Sequence, residues 1–467
     1  MDHLHRYAGV NEPIEVCVVG SGGFGRSFLA QASRVRTISA RVAVDREPEI
    51  AAEGWHSIGV DADRVALCRT PQEAADAWAR GLNIAAGDVQ VVLGLPLQVM
   101  VEATGHPEAG ARHARLAIEA GLHVALASKE VDSVVGPELS RLARARGRVV
   151  TPVDGDQPSL LIGLVTWAQT LGFEVLSAGK SSEYDFVFDA SSERMHSNGV
   201  DIDVAGFGAH WALGTQAVAP LVQARAALCH ALPQRAVPDL CELQVVANST
   251  GLMPDAPALH APIARASEVP DLFGTLDEGG LFRQTGAIDV FNCLRAPDEL
   301  SFAGGVFVVV RCDDAPTWEL LLGKGHVLSR DRSRAMVYIP RHLLGLEAMT
   351  SVLDAAVHGV SSGAQAPQPR LDLVARTTRA LAAGTVLTMG GHHHTIDGTA
   401  AELVPAGPLA AGTPAPFYLV GNRRLVRDVD AGALIHYDDV EIDPASELLK
   451  LRLQQDAAFF AGSRAAA

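Results

Sequence analysis

Ile14-Glu15-Val16-Cys17-Val18-Val19, followed by Gly20-Ser21-Gly22-Gly23-Phe24-Gly25, is the stretch that decides the fold. An apolar, β-branched run of strand length enters a GxGxxG turn, and Phe24, Phe28 and Ala32 then recur at helical spacing. In a strand-turn-helix unit each glycine has a mechanical use. Gly20 makes the tight turn, Gly22 lets a pyrophosphate approach the backbone, and Gly25 lets helix pack on strand. Gly23 and Phe24 open the helix, whose amino terminus faces the phosphates.

Working outward, a second strand, Ala40-Arg41-Val42-Ala43-Val44, ends at Asp45, about twenty residues past the last glycine. An acid there accepts from the 2′-hydroxyl of NAD, whereas Arg46 beside it suits the 2′-phosphate of NADP, so the sequence leaves both cofactors open. The alternation continues. A strand Val99 to Thr104 leads into the turn Gly105-His106, a helix starts at Pro107-Glu108, and the strand Leu122 to Ala127 ends at Ser128-Lys129-Glu130. Pro137-Glu138 open another helix, which precedes the strand Val149 to Val153. Repeated βα units require a parallel, doubly wound Rossmann sheet. Its ligands lie beyond the carboxyl ends of the strands, which picks out Thr104, Gly105 and Ser128 for cofactor contact.

Length and composition agree. At roughly 150 residues per domain, a chain of 467 residues holds three domains. The predicted units are a Rossmann domain over 1–155, an α+β catalytic and oligomerisation domain over 156–361, and a small β-rich domain over 372–450 after a Gly/Pro linker. A formal charge of −16 argues against nucleic acid as a partner. Residues 1–15 hold no apolar signal core, and the apolar stretch from Val91 to Val101 is broken by Gly94, Pro96 and Gln98. No membrane span is therefore expected. Six scattered cysteines without a CxxC pair read as reduced thiols of a cytoplasmic protein.

The candidate chemistry sits at strand ends. Lys129 is expected to emerge at the nicotinamide edge and polarise a substrate oxygen. Asp154 and Asp156, two apart in an extended segment, are expected to face one side and bind substrate or a hard cation such as Mg²⁺ or Mn²⁺, although Asp156 is also placed to cap a helix. Lys180, Ser181 and Ser182 follow Gly179 in what reads as a polar loop suited to an anion. Glu242 and Asn248 lie in a predicted helix over 239–249. They are six residues apart, so they do not share a face and at most one points into a site; both are candidates, Asn248 for substrate contact, although an acid amid Leu240, Leu243 and Val246 reads most simply as exposed. Gly323-Lys324-Gly325-His326 reads either as a hairpin or as a segment closing the crevice, with His326 as its substrate contact. His392-His393-His394 lacks zinc-site spacing and reads as solvent-exposed polar sequence. Near the carboxyl terminus, Arg379 to Leu387 resembles Arg427 to Ile435, each with Ala-Gly before an apolar run, as in two equivalent turns of one unit.

Taken together, these stretches resemble the homoserine-dehydrogenase-like oxidoreductases that carry a carboxyl-terminal SAF domain. The carriers include Val19 to Gly25, Val101 to Gly105, Ser128-Lys129-Glu130, Ala178-Gly179-Lys180, Val246 to Leu252, Gly304 to Arg311 and the two Ala-Gly repeats. One branch is similar to 1-deoxy-D-xylulose 5-phosphate reductoisomerases, with Ser128-Lys129-Glu130 and Val153-Asp154-Gly155-Asp156 standing where that group has Asn-Lys-Glu and Val-Asp-Ser-Glu. That resemblance implies an NADPH-dependent reductoisomerase with Lys129, Asp154, Asp156, Lys180 and Glu242 in catalysis, Asp154 and Asp156 on a metal, and a homo-oligomer. Where the family has a Gly-Thr-Lys-Tyr-type stretch this chain has Ser181-Ser182-Glu183-Tyr184, which argues against a phosphorylated substrate. A homoserine- or polyol-type dehydrogenase without rearrangement is the alternative; a non-catalytic dinucleotide-binding regulator is the second.

Overall fold

A computed structural model describes residues 2–391 and 393–461. Seven strands form the first sheet among these residues: β1 (Ile14–Val19), β2 (Ile38–Val44), β3 (Val65–Cys68), β4 (Asn83–Ala86), β5 (Val99–Glu102), β6 (His123–Leu126) and β7 (Val150–Pro152). They run parallel in the order β3-β4-β2-β1-β5-β6-β7. The chain reverses its winding between β2 and β5, on either side of β1, and this switch point is where a doubly wound sheet opens a crevice. The sheet core needs no alternation of polar residues because helices cover both faces, so β1, β5 and β6 are apolar apart from Glu15, Glu102 and His123.

Five helices bear on the site: α1 (Gly23–Ala32), α2 (Pro107–Glu119), α3 (Lys129–Arg144), α4 (Gln157–Thr170) and α5 (Val237–Thr250). Helix α3 differs from the sequence reading, which began it at Pro137. It starts at Lys129 and carries Pro137 inside. A proline there leaves the carbonyl four residues earlier without its helical donor, and Gln244 Nε2 of α5 donates to that carbonyl, Ser133 O, at 2.7 Å.

The second sheet is mixed: β8 (Val175–Ser181), β9 (Phe186–Asp189), β10 (Arg194–Ser197), β11 (Val200–Asp203), β12 (Ala287–Arg295), β13 (Val306–Arg311), β14 (Val327–Leu328) and β15 (Arg334–Ile339) lie in the order β11-β10-β9-β12-β8-β13-β15-β14. Two short strands, Met253–Pro254 and Ile263–Ala264, pair with β12. The chain then returns to the first sheet. Met349, Val352 and Leu353 join the core formed by β1 and α1, and Gly345 lies so close to α1 that a Cβ would sit 2.6 Å from Phe24 O. The segment 344–358, predicted within the second domain, thus packs with the first.

The carboxyl-terminal unit is built on the antiparallel pair β16 (Leu371–Thr377) and β17 (Thr399–Pro405). The two similar stretches pair with one another: Leu381 and Val429, third in each repeat, exchange both backbone hydrogen bonds at 2.9 Å. Gly384 N donates to Leu425 O and Gly432 N to Thr377 O, equivalent positions related by a local two-fold, and both glycines have left-handed φ near +80°. Helix α6 (Glu447–Phe459) runs back over the first domain, where Arg115 of α2 pairs with Glu447 and Gln455 Nε2 donates to Val134 O of α3. Fully buried Arg452 pairs with Asp372 of β16 and Asp456, so one guanidinium fastens the unit to this helix.

Candidate active site

Two clefts and a buried ion cluster make up the candidate site. The first cleft, of about 650 Å³, is lined by Gly20, Gly22, Asp45, Arg46, Thr104 and His106. Gly20 has φ +98°, and a Cβ there would meet Ala103 O at 2.6 Å; one on Gly25 would meet Gly20 O at 1.9 Å. Gly22 and Gly23 face open space, and no side chain caps α1. A backbone cradle at an uncapped helix amino terminus fits a pyrophosphate. Phe24 packs inward against the core of the first sheet.

Asp45 accepts from Ser21 N at 2.8 Å and from the Ser21 hydroxyl, and its other oxygen accepts from Arg46 N. Burial opposes its ionisation, but these donors hold its carboxyl below the ordinary range. Its acceptors are therefore engaged in shaping the glycine loop, and the exposed Arg46 side chain is left at the cleft rim. Gly105 N donates to Ser128 Oγ at 2.9 Å, tying the ends of β5 and β6 together. Sequence reasoning missed Gly87, Asp88, His106, Arg112 and His113 in this cleft. His106 was legible as a helix cap; the others enter from elements whose sequences carry no motif.

The ion cluster joins four residues from three distant parts of the sequence. Lys129, at the first turn of α3, pairs with Glu242 Oε1; Lys180 of β8 pairs with Glu242 Oε2 and, at 2.7 Å, with Asp239 Oδ1. Ser182 Oγ donates to Asp239 Oδ2 at 2.8 Å. Glu242, expected to be exposed, is buried, because α5 is covered on almost every side. Burial would raise its carboxyl, yet the two lysines bring it down to about 2. Lys129 side chain keeps 23% exposure against 2% for Lys180. Lys129 is thus the member of the pair that reaches open space.

Several predicted residues are placed differently. Lys180 and Ser181 lie in β8 itself, not in a loop, and two carboxylates already balance Lys180, so the expected anion site lacks its free charge. Ser181 donates to Ser182 O. Asp154 and Asp156 do not face one side, because Gly155 between them has φ +85° and turns the chain. Asp154 accepts from Ser159 and Thr350, while Asp156 caps α4. Among the described residues no three His, Cys, Asp or Glu come together as a metal site. These residues do not fit the expected divalent cation. Asn248 Oδ1 accepts from Arg370 N at 2.8 Å and from Leu371 N, so it pins the linker. His326 is exposed beside edge strand β14. His393 and His394 are half-buried rather than solvent-exposed; His392 lies outside the described residues.

The second cleft, about 330 Å³, opens where the catalytic and carboxyl-terminal units meet. Ser182, Phe186, Leu240, Asn292, Ile396 and Phe417 are among its lining residues. Its walls are mostly apolar. The cation lining it, Arg235, already donates to the carbonyls of Ala258, Leu259 and His260.

The family described as "Oxidoreductase DRL, catalytic domain" matches residues 236–348, the segment that carries Asp239 and Glu242. No curated protein matches the chain. Similar solved structures include GenD2 from gentamicin A biosynthesis in complex with NAD, at 13% identity, covering 75% of this chain and 88% of that one with a TM-score of 0.35. UDP-N-acetylglucosamine 3-dehydrogenase GnnA from Acidithiobacillus ferrooxidans matches at 13% identity, over 75% of this chain and 92% of that one, with a TM-score of 0.38. 1-Deoxy-D-xylulose 5-phosphate reductoisomerase from Zymomonas mobilis with NADPH matches at 17%, over 50% and 57%, with a TM-score of 0.30. Residues 236–348 thus match the catalytic domain of an oxidoreductase family. Among the described residues no helix is long and apolar enough to cross a membrane.

Proposed function

We propose that the protein is an NADP-preferring oxidoreductase that interconverts a carbonyl and an alcohol on an uncharged small molecule, without a metal. The observation that supports this reading is Lys129: it opens the helix that follows β6, is held charged by Glu242, and is the lysine of its cluster whose side chain keeps partial exposure. Bound NADPH supplies a hydride. Lys129 faces the substrate oxygen and stabilises the negative charge that develops there. Glu242, anchored by Lys180, fixes the ammonium in place, and Asp239 and Ser182 hold Lys180 in turn.

Arg46 supports NADP over NAD, since Asp45 is committed to Ser21 and the guanidinium at the rim suits a 2′-phosphate. The apolar second cleft, with its arginine already bonded, supports an unphosphorylated substrate. A reductoisomerase is the second reading, supported by the electrostatic reach of Asp156 to Lys129; it needs a chelating pair that Gly155 turns apart.

The test follows oxidation of NADPH and of NADH by the purified chain. The substrates are hydroxyacetone, 1-deoxy-D-xylulose and 1-deoxy-D-xylulose 5-phosphate, each with Mn²⁺ and with EDTA. Oxidation of NADPH by an unphosphorylated ketone, unchanged by EDTA, is expected. Turnover of the phosphate ester alone, abolished by EDTA, would establish the reductoisomerase instead.

A further inference from the structure

Helix α3 carries an acid next to Lys129 that the reading above does not use. Glu130 is 5% exposed. From the carboxyl-terminal unit, His394 Nδ1 comes within 3.7 Å of Glu130 Oε1 and 3.0 Å of the Tyr418 hydroxyl. Tyr418 is buried on the short helical turn Phe417–Val420, and the His394 side chain keeps 19% exposure. A partly open imidazole, hydrogen-bonded to a buried phenol, thus stands within about half an ångström of hydrogen-bond range of a buried carboxyl next to Lys129 in sequence.

We propose that Glu130 is the acid that protonates the substrate oxygen, with His394 and Tyr418 of the carboxyl-terminal unit positioning it and restoring its proton. The proposal rests on the oxidoreductase reading. In the reduction, hydride from NADPH bonds to the carbonyl carbon and the π pair moves onto oxygen. The Glu130 proton bonds to that oxygen, and the resulting carboxylate regains a proton through His394 Nδ1. Ketone, NADPH and one proton taken up from solvent through His394 give alcohol and NADP⁺.

Electrostatics support this division of labour. Burial would lower the Lys129 ammonium, but Glu242, Asp156 and Glu130 hold it well above its ordinary range, which makes it a strong charge and a poor proton donor. Burial pushes the Glu130 carboxyl up to about 7; Lys129 pulls it down, and Asp156 and Glu102 raise it again. A general acid works best when it titrates near the operating pH. The groups that face Glu130 are Lys129 on its own helix, Asp156 before α4, Glu102 at the end of β5, Cys241 on α5, and His394 and Tyr418. Burial, then Cys241, Glu130 and Glu242, keep the Tyr418 phenol protonated. The phenol oxygen can thus accept from a proton on His394 Nδ1 without removing it.

The experiment uses the full chain with NADP⁺ bound and follows the infrared carbonyl band of protonated carboxyls against pH. Asp132, on the same helix, is also raised to about 7 by burial, so Asp132→Asn is the control. A band with a midpoint near 7 is expected to survive Asp132→Asn and to vanish in Glu130→Gln. It is expected to move upward by about half a pH unit or more in His394→Asn or Tyr418→Phe. A band untouched by Glu130→Gln, or unmoved by both carboxyl-terminal variants, overturns the proposal whatever the substrate. With the ketone that oxidises NADPH, Glu130→Gln is expected to lower kcat by roughly a hundredfold. KM for NADPH should hold, and Glu130→Asp should recover part of the loss. An unchanged kcat would likewise overturn the catalytic assignment, whereas silence of every ketone with the titrating band intact would remove the reductase reading.

Discussion

Replacing Glu242 by glutamine keeps the shape of the side chain and removes the charge that Lys129 and Lys180 share. Burial disfavours the carboxylate, and the two ammonium groups more than offset it, bringing the carboxyl from 4.5 to about 2. That depression is worth about 3 kcal/mol in favour of the folded, ionised state. It lies at the low end of what breaking a buried ion pair costs. Because the folded value is depressed, the stabilisation is fully present above the unfolded value of 4.5 and is lost as pH falls through about 2. Urea unfolding of wild type and Glu242→Gln should therefore differ by about 3 kcal/mol at pH 7 and by less than half of that at pH 3. Lys180 keeps Asp239 as a partner, so Lys129 loses most; turnover should fall while dinucleotide binding persists. A difference below about 1 kcal/mol at pH 7, or equal differences at both pH values, would refute the role given to the cluster.

Arg46→Ala should weaken NADPH roughly tenfold and leave NADH unchanged, as read by fluorescence titration; equal loss of both would remove the 2′-phosphate contact. Gly25→Ala places a methyl 1.9 Å from Gly20 O and should abolish dinucleotide binding, with the distortion visible in hydrogen exchange confined to the loop and α1. Arg452→Met leaves Asp372 and Asp456 buried without their shared cation and should cost about 3 to 5 kcal/mol. Limited proteolysis should then release α6 first, and a cleavage pattern like that of wild type would speak against the fastening.

The first domain was legible because its information is local. Strand, glycine turn and helix follow one another within twenty residues, and Gly20, Gly22 and Gly25 are required by backbone distances that hold wherever that unit is built. The carboxyl-terminal repeat was legible for the same reason, since the same turn was written twice. Misreadings began where one residue redirects a chain. Gly155 sends Asp154 and Asp156 to different partners, and Gln244 makes a helix tolerate Pro137 by bonding the carbonyl left without a donor.

The sequence by itself determined a dinucleotide-binding α/β protein with Lys129 at a strand end, because strand period, turn glycines and helix caps act over a few residues. Only the tertiary structure decided what surrounds that lysine. Glu242 looked like a solvated acid on an apolar helix until the carboxyl-terminal unit and β8 covered α5, and the polar triplet at 392–394 gave no sign that His394 returns to Glu130. A charge survives burial only when opposite charges arrive with it, and here they arrive from α3, β8 and α5, elements that periodicity reads separately and that meet only when the chain has folded.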